Sequence, residues 1–373
     1  MDGDTILKVE DLCTHYLTSD GEVFALDDAS FELKRGDSIG IAGESGCGKS
    51  TLAFSLLNQV QPPGEIMSGS IDLDGIEVTD LSEKEARKKI RWKKISMVFQ
   101  GAMEIMTPVY TVGHQMKEPL RYHKDITGEE ARGICERYLE LVNLDAGIFD
   151  RYPHELSGGQ KQRVIIATAL LLEPDVVILD EPTTALDVVV EARIMNDLKR
   201  LRRELDISMI FITHDLSILA EVSDELAIMY AGWIVEFGDA NKIYNDPKHP
   251  YTEKLMAAIP DIRTDIDRLE YIPGVPPNLV NPPSGCRFHP RCHKAMEVCR
   301  DMDPEVYNVD GIRVKCHLYS EDESIAESEE ASYETAYDDE MAAEAYEGEM
   351  GKEEIEDGTE EGIDKEIDEL LEE

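Results

Sequence analysis

Four short apolar runs punctuate the first 245 residues: Ser38–Ala42, Ile95–Phe99, Val176–Leu179 and Met209–Thr213. Each is bounded by turn or polar residues, the pattern of a strand buried in a mostly parallel sheet. Helical periodicity fills the stretches between them, and the alternation predicts an α/β fold. From Tyr244 the texture changes. Proline and glycine thicken in IPGVPPNLVNPPSGC, and four cysteines follow within 31 residues. The chain divides on this reading into 1–245, 246–320 and an acidic tail, 321–373. No internal repeat is visible.

The tail carries 25 of the 79 acids and only two of the 37 bases. Self-repelling charge with few large apolar residues predicts disorder there. Its end, EEGIDKEIDELLEE, spaces Ile363, Ile367 and Leu370 as a short amphipathic helix would. The net charge of the whole chain is -42, which argues against free-standing nucleic-acid binding. The basic stretch Lys84–Lys94, with Trp92, reads as a solvated helix face before the Ile95 run. No apolar run is long enough to span a membrane, and the first residues show no signal-peptide pattern. Seven cysteines, an odd number, favour metal or reactive thiols over a disulfide framework and suit a cytoplasmic chain.

The strongest chemical signal is Gly43-Glu-Ser45-Gly46-Cys47-Gly48-Lys49-Ser50, a G-x-x-x-x-G-K-S phosphate loop. It follows a strand-like run and opens a helix-like one, the context the motif requires. Glycines let backbone N–H groups turn inward around phosphate oxygens, and the new helix adds its positive end. Lys49 is expected at the β and γ phosphates and Ser50 on Mg²⁺. Asp175–Glu181 is an apolar strand ending in two acids. Alone, such acids could merely cap a strand. Beside a phosphate loop, Asp180 is expected to hold Mg²⁺ and Glu181 to orient or deprotonate the attacking water. A thiol at Cys47, amid N–H groups and a helix start, is expected to be reactive, so that alkylation blocks activity and nucleotide protects.

Leu156-Ser157-Gly158-Gly159-Gln160, followed by Lys161-Gln162-Arg163, resembles the signature of ABC-transporter ATPases. The motif order is also that family's: phosphate loop, Gln100, signature, Asp180-Glu181, Ala185-Leu186-Asp187, His214. The resemblance covers residues 5–240. It implies an ABC-type nucleotide-binding domain, with a mixed sheet core and a helical subdomain. Ser157 is placed to cap the helix that follows, which makes a second anion cradle of Ser157, Gly158, Gly159 and Gln160. In the family that cradle grips the nucleotide bound to a partner cassette. The resemblance further implies that Gln100 ligates Mg²⁺, His214 contacts the γ-phosphate, Thr51 touches the α-phosphate, Tyr16 stacks on adenine and Asp187 links the two sites. After Gln100 the chain reads GAMEIMTPVYTVG, with Thr107 where related importers have Asn. That segment faces the membrane subunit in the family.

Cys286, Cys292, Cys299 and Cys316 are not spaced as a zinc ribbon, and four thiolates suit zinc or an iron–sulfur cluster. KHPYTEKL, IPGVPPNL and GCRFHPRC resemble the C-terminal extension of oligopeptide and dipeptide importer ATPases. Some members hold a [4Fe–4S] cluster on these four cysteines. His289, His293 and His317 are expected to be neighbours rather than ligands. The resemblance implies a peripheral ATPase subunit at the cytoplasmic face of the membrane. Its partners would be a second, related ATPase, two permease subunits and an external peptide-binding protein. Nickel or another small solute as cargo, and a soluble ABC ATPase, are the alternatives. A regulatory subunit with a dead ATP site would lack Glu181 or His214, and both are present.

Overall fold

The computed structural model describes residues 5–184, 186–258 and 272–322. Ala185, the disorder expected beyond Asp322 and the terminal helix pattern lie outside these residues.

Among the described residues, twelve strands form two sheets. The first sheet holds β1 (Thr5–Thr18), β2 (Gly21–Lys34), β4 (Gly64–Leu73) and β5 (Ile76–Glu77), in the order β2-β1-β4-β5. The second has the order β11-β12-β10-β9-β3-β8-β7-β6. Its strands are β3 (Ser38–Ala42), β6 (Ile95–Val98), β7 (Val176–Asp180), β8 (Ser208–Ile212), β9 (Glu225–Tyr230), β10 (Trp233–Asp239), β11 (Val306–Val309) and β12 (Ile312–Lys315).

The four runs singled out by the sequence are β3, β6, β7 and β8, with ends shifted by at most one residue. Every residue of these strands is buried, which is why they read as continuous apolar runs rather than alternating ones. Together with β9 they form the parallel part of the sheet. Parallel strands all point one way, so the loops that leave β3, β6, β7 and β8 gather at one edge. That edge receives the phosphate loop, Gln100, Glu181 and His214.

The β1–β2 hairpin carries no such signature. Both strands run for 14 residues, and their alternation breaks at Glu10 and Asp11, which are exposed. Asp11 has φ 48°, and the pairing slips register four times. Bulges of this kind hide a strand from a period-two reading.

Helices cap cleanly where the sequence supplies the side chains. Ser157 accepts from the backbone N–H of Gln160 and Gln160 returns a bond to Ser157 N, a reciprocal cap on helix Gly158–Leu170. Thr127 and Glu130 do the same for helix Gly128–Leu141. The basic stretch folds as helix Glu83–Lys89, largely exposed, but Arg91 beyond it is buried and paired with Glu83.

The change of composition at 245 is not a break in packing. β12 pairs with β10 through Glu236↔Val314 and Phe237↔Arg313, so the C-terminal residues extend the main sheet. One apolar core runs from Met116, Tyr138 and Phe149 through Leu170 and Phe211 to Tyr251 and Phe288. Phe288 meets Tyr230 and Tyr251 edge-on, with ring centres 5.1 and 5.3 Å apart. Burying a ring of this size contributes roughly 1.5–3 kcal/mol.

Candidate functional site

The loop after β3 turns on two glycines that no other residue could replace. A Cβ on Gly43 would lie 2.1 Å from the Met229 carbonyl oxygen, and one on Gly48 2.2 Å from that of Ala25. Both have positive φ, 151° and 107°. Gly48 starts helix Lys49–Leu56, whose first turn has no side-chain cap and no acid. Its amide N–H groups therefore remain available to an anion.

A cavity of about 570 Å³ opens over this turn. Gly43, Ser45, Gly46, Gly48, Lys49, Ser50 and Thr51 form its floor. Gln100, Asp180, Glu181 and His214 form one side, and Tyr16 with Val23 and Ala25 forms another. The Lys49 ammonium donates to the carbonyls of Gly43 and Glu44 at 2.7 and 2.9 Å. The Ser50 hydroxyl donates to Asp180 Oδ2 at 3.1 Å, which puts two of the three expected Mg²⁺ ligands side by side. Burial pushes the Asp180 carboxyl above its usual range, and the Ser50 hydroxyl partly offsets this. A buried anion next to a hydroxyl is a receptive place for a hard divalent cation.

Glu181 is held at φ 45°, with its amide bonded to the Ile212 carbonyl. Three side chains converge on its carboxylate. Gln100 Nε2 and the Thr184 hydroxyl donate to Oε2 at 2.8 and 2.9 Å, and His214 Nδ1 stands 3.5 Å from Oε1. A carboxylate fixed in this way can orient water in the cavity.

Cys47 does not have the environment expected for a reactive thiol. It is 4% exposed, and burial raises its pKa despite the neighbouring Lys49. The helix start favours the thiolate, but the surrounding core favours the neutral form more strongly.

Ser157, Gly158, Gly159 and Gln160 are not part of this cavity. They form a separate helix start, where Gly159 lies against Val190 and Gly158 near Leu186. Asp187 caps the next helix, Val188–Leu205, through Val190 N at 3.0 Å.

Several apolar wall residues were not anticipated as part of the site, among them Val23, Ala25 and Leu216. Leu255 and Leu279 line the cavity from the C-terminal part. The same part reaches the phosphate loop directly. Arg291 makes a two-pronged ion pair with Glu44, at 2.6 and 3.0 Å, and the Glu44 amide donates to the Tyr251 hydroxyl at 3.0 Å. Leu255 and Tyr251 belong to KHPYTEKL and Leu279 to IPGVPPNL, but their aim at the phosphate loop exists only in the folded chain.

Cys286, Cys292, Cys299 and Cys316 are buried, each 7–8% exposed. Burial pushes the thiols of Cys286 and Cys316 up to about 12 and raises those of Cys292 and Cys299. Each sulfur also has a backbone N–H aimed at it, from Phe288 and His289, Lys294, Met296, and Leu318 respectively. Such donors stabilise thiolates bound to a metal group. Cys286, Cys299 and Cys316 each act electrostatically on Cys292, and Cys286 and Cys299 act on Cys316. His289 bonds the Cys286 carbonyl, His293 faces Glu253, and His317 bonds the Met302 carbonyl through Nε2 while its buried Nδ1 has no hydrogen-bond partner.

Comparison with known proteins places this geometry. The ABC transporter family model matches residues 26–184. The model for the oligopeptide/dipeptide transporter C-terminal region matches residues 235–299. The dipeptide transport ATP-binding protein DppD of Caldanaerobacter subterraneus subsp. tengcongensis is 42% identical over 319 residues, spanning 85% of this chain and 98% of that protein. The oligopeptide transport ATP-binding protein OppD of Escherichia coli (strain K12) is 43% identical over 303 residues, 81% and 89% of the two chains. Among solved structures, a dimeric ATP-binding cassette, MJ0796, bound to ADP and phosphate matches with a TM-score of 0.57 and 29% identity, covering 63% of this chain and 99% of that one. The cassette cbiO1 of Clostridium perfringens, part of the transporter complex cbiONQ, matches with a TM-score of 0.57 and 32% identity, covering 65% and 92%. This chain is an ABC-type ATPase and belongs to the dipeptide and oligopeptide transport ATP-binding proteins of the ABC transporter family.

Proposed function

We propose that this chain is the ATP-hydrolysing subunit of a membrane importer for di- and oligopeptides. One observation carries the reading. Lys49, Ser50, Gln100, Asp180, Glu181 and His214 meet around one cavity, and the peptide-importer-type C-terminal region supplies part of its wall.

Tyr16 offers its ring to adenine, while Lys49 and the loop amides hold the phosphates. Ser50, Gln100 and Asp180 would hold Mg²⁺, which supplies charge neutralisation on the phosphate oxygens. Glu181 positions the attacking water and accepts its proton, and His214 and Gln100 keep that carboxylate aimed. His214 is 76% exposed at the side chain, free to engage a γ-phosphate. The cradle at Ser157–Gln160 lies apart from the chain's own cavity. It serves the nucleotide of a second, related ATPase subunit packed head to tail, so that ATP joins two cassettes and hydrolysis releases them.

Ile105, Val109 and Tyr110 are 65%, 71% and 48% exposed in the segment after Gln100. This apolar surface suits a permease subunit, two of which would carry the peptide delivered by an external binding protein. Among the described residues no helix is long and apolar enough to cross a membrane. The chain would sit peripherally at the cytoplasmic face, held by its protein partners.

The four buried cysteines would hold a [4Fe–4S] cluster. When bound, such a cluster supplies covalent bracing of the C-terminal region; it lies outside the nucleotide chemistry. Iron, sulfide and zinc are to be counted in protein purified without oxygen, for wild type and Cys292→Ser. Four irons and four sulfides, lost in the variant, are expected; one zinc without sulfide contradicts the cluster. Cargo is tested by uptake of labelled di- and tripeptides in cells whose own copy carries Lys49→Ala. Peptide uptake should fall to background with nickel uptake unchanged. The reverse pattern overturns the peptide assignment.

A further inference from the structure

We propose that Cys13, His15 and Asp27 form a second metal site, for a borderline divalent ion such as Zn²⁺. Cys13 and His15 stand two apart on β1, and Asp27 lies on the neighbouring β2. The bulges that disturb this pairing, between Leu12 and Tyr16, bring the three side chains together. One ligand atom of each lies within 4.8 Å of the others, the only such group among the described residues. Cys13 Sγ is 3.5 Å from Asp27 Oδ1.

His15 provides the independent sign of a ligand. It is 8% exposed, and its buried Nε2 has no hydrogen-bond partner. Its Nδ1 is 2.8 Å from Glu22 Oε1. A carboxylate on one ring nitrogen fixes the tautomer that leaves the other nitrogen able to bind a metal. An orphaned buried nitrogen costs about 1–3 kcal/mol, and a metal bond removes that cost.

The other two ligands are also oriented by their neighbours. Asp27 Oδ2 pairs with Arg287 and accepts from Trp233 Nε1 at 3.4 Å, while Oδ1 is turned to Cys13. The Asp28 amide donates to Cys13 Sγ at 3.3 Å, which fixes where the sulfur points. The charges balance: a thiolate, Asp27 and Glu22 oppose the ion and Arg287. One sulfur, one nitrogen and one oxygen suit zinc and exclude the all-oxygen preference of Mg²⁺ or Ca²⁺. Three protein ligands leave a fourth position for water.

The site follows from no motif of the nucleotide-binding machinery. It ties β1 to β2 next to Tyr16, and through Asp27 it touches Arg287, the neighbour of Cys286. Its physical role is a brace between the adenine side of the cavity and the C-terminal region.

The test compares full-length wild type, Cys13→Ser, His15→Gln and Glu22→Gln, all purified without oxygen. Zn²⁺ affinity is read by competition with a chromophoric chelator. Co²⁺ is added in parallel to read thiolate-to-metal absorption. Wild type should bind one Zn²⁺ per chain more than Cys13→Ser or His15→Gln. Glu22→Gln, at a half-exposed position, should retain the fold and weaken binding by about 10- to 100-fold. The thiolate band of Co²⁺ should be smaller in Cys13→Ser than in wild type. Equal stoichiometry and affinity in wild type, Cys13→Ser and Glu22→Gln would overturn the site.

Discussion

Around the phosphate loop, polar groups line an open cavity of about 570 Å³. At the four C-terminal cysteines, each side chain is 7–8% exposed and meets mainly core and backbone N–H groups. The first arrangement suits a ligand that enters and leaves on every cycle. The second suits a group inserted once and kept. The two are joined by few contacts, chiefly Arg291 with Glu44 and Tyr251 with the Glu44 amide. The two are thus separated in space: the cysteines lie in the core that includes Tyr230, Tyr251 and Phe288, and Cys47, Leu52 and Leu56 at the phosphate loop lie in a second one.

The comparison can be broken from the core side first. Phe288→Ala removes the ring packed on Tyr230 and Tyr251 and should cost about 3–5 kcal/mol of stability. Denaturant unfolding reads this. A loss below 1 kcal/mol would mean that the C-terminal region is not part of the same core.

Arg291→Ala cuts the link itself. Arg291 is 7% exposed, and its loss should cost about 1.5–3 kcal/mol and raise the KM for ATP more than it lowers kcat. Normal nucleotide binding and normal stability would show that the two regions are independent.

Asp180 offers a pH test of the open cavity. Burial raises its folded pKa above 3.8, so the folded chain holds this proton more tightly than the unfolded chain does. Its contribution therefore favours folding at low pH and is lost as pH rises through that raised value. Asp180→Asn should stabilise the nucleotide-free chain at neutral pH while abolishing Mg²⁺-dependent nucleotide binding. Thermal melts at pH 3 and 8, below the unfolded value and well above it, should show a larger gain at pH 8. An equal gain at both would contradict the assignment of cause.

The smallest effect is expected at Cys47. A thiol raised by burial should alkylate slowly in the native chain at pH 7.5 and rapidly in denaturant. Cys47→Ser should leave ATPase activity within about twofold. Fast native labelling would restore the reactive thiol expected from the motif.

How much of this was visible in the sequence differs between the regions for physical reasons. A phosphate loop needs glycines and a lysine at fixed spacing, because backbone amides must close on a small anion. Gly43 through Ser50 are therefore readable one by one. β3, β6, β7 and β8 are readable because burial on both faces demands unbroken apolar runs. The cysteines stand out in the sequence by their number, but their burial among Tyr230, Tyr251 and Phe288 exists only in the folded chain. The β1–β2 hairpin is obscured by its bulges, and Cys13, His15 and Asp27 meet only through them. Arg291 and Arg287 look like surface charges in the chain, since nothing local says that Glu44 and Asp27 will meet them across more than 240 positions.

The central claim is that Glu181 turns a nucleotide-binding cavity into a hydrolase. The most direct measurement is a pair on Glu181→Gln: equilibrium binding of MgATP to the chain, and ATP turnover in the assembled transporter. Binding close to wild type and turnover reduced by about 10²- to 10⁴-fold are expected. Turnover at the wild-type rate, with binding intact, would contradict it.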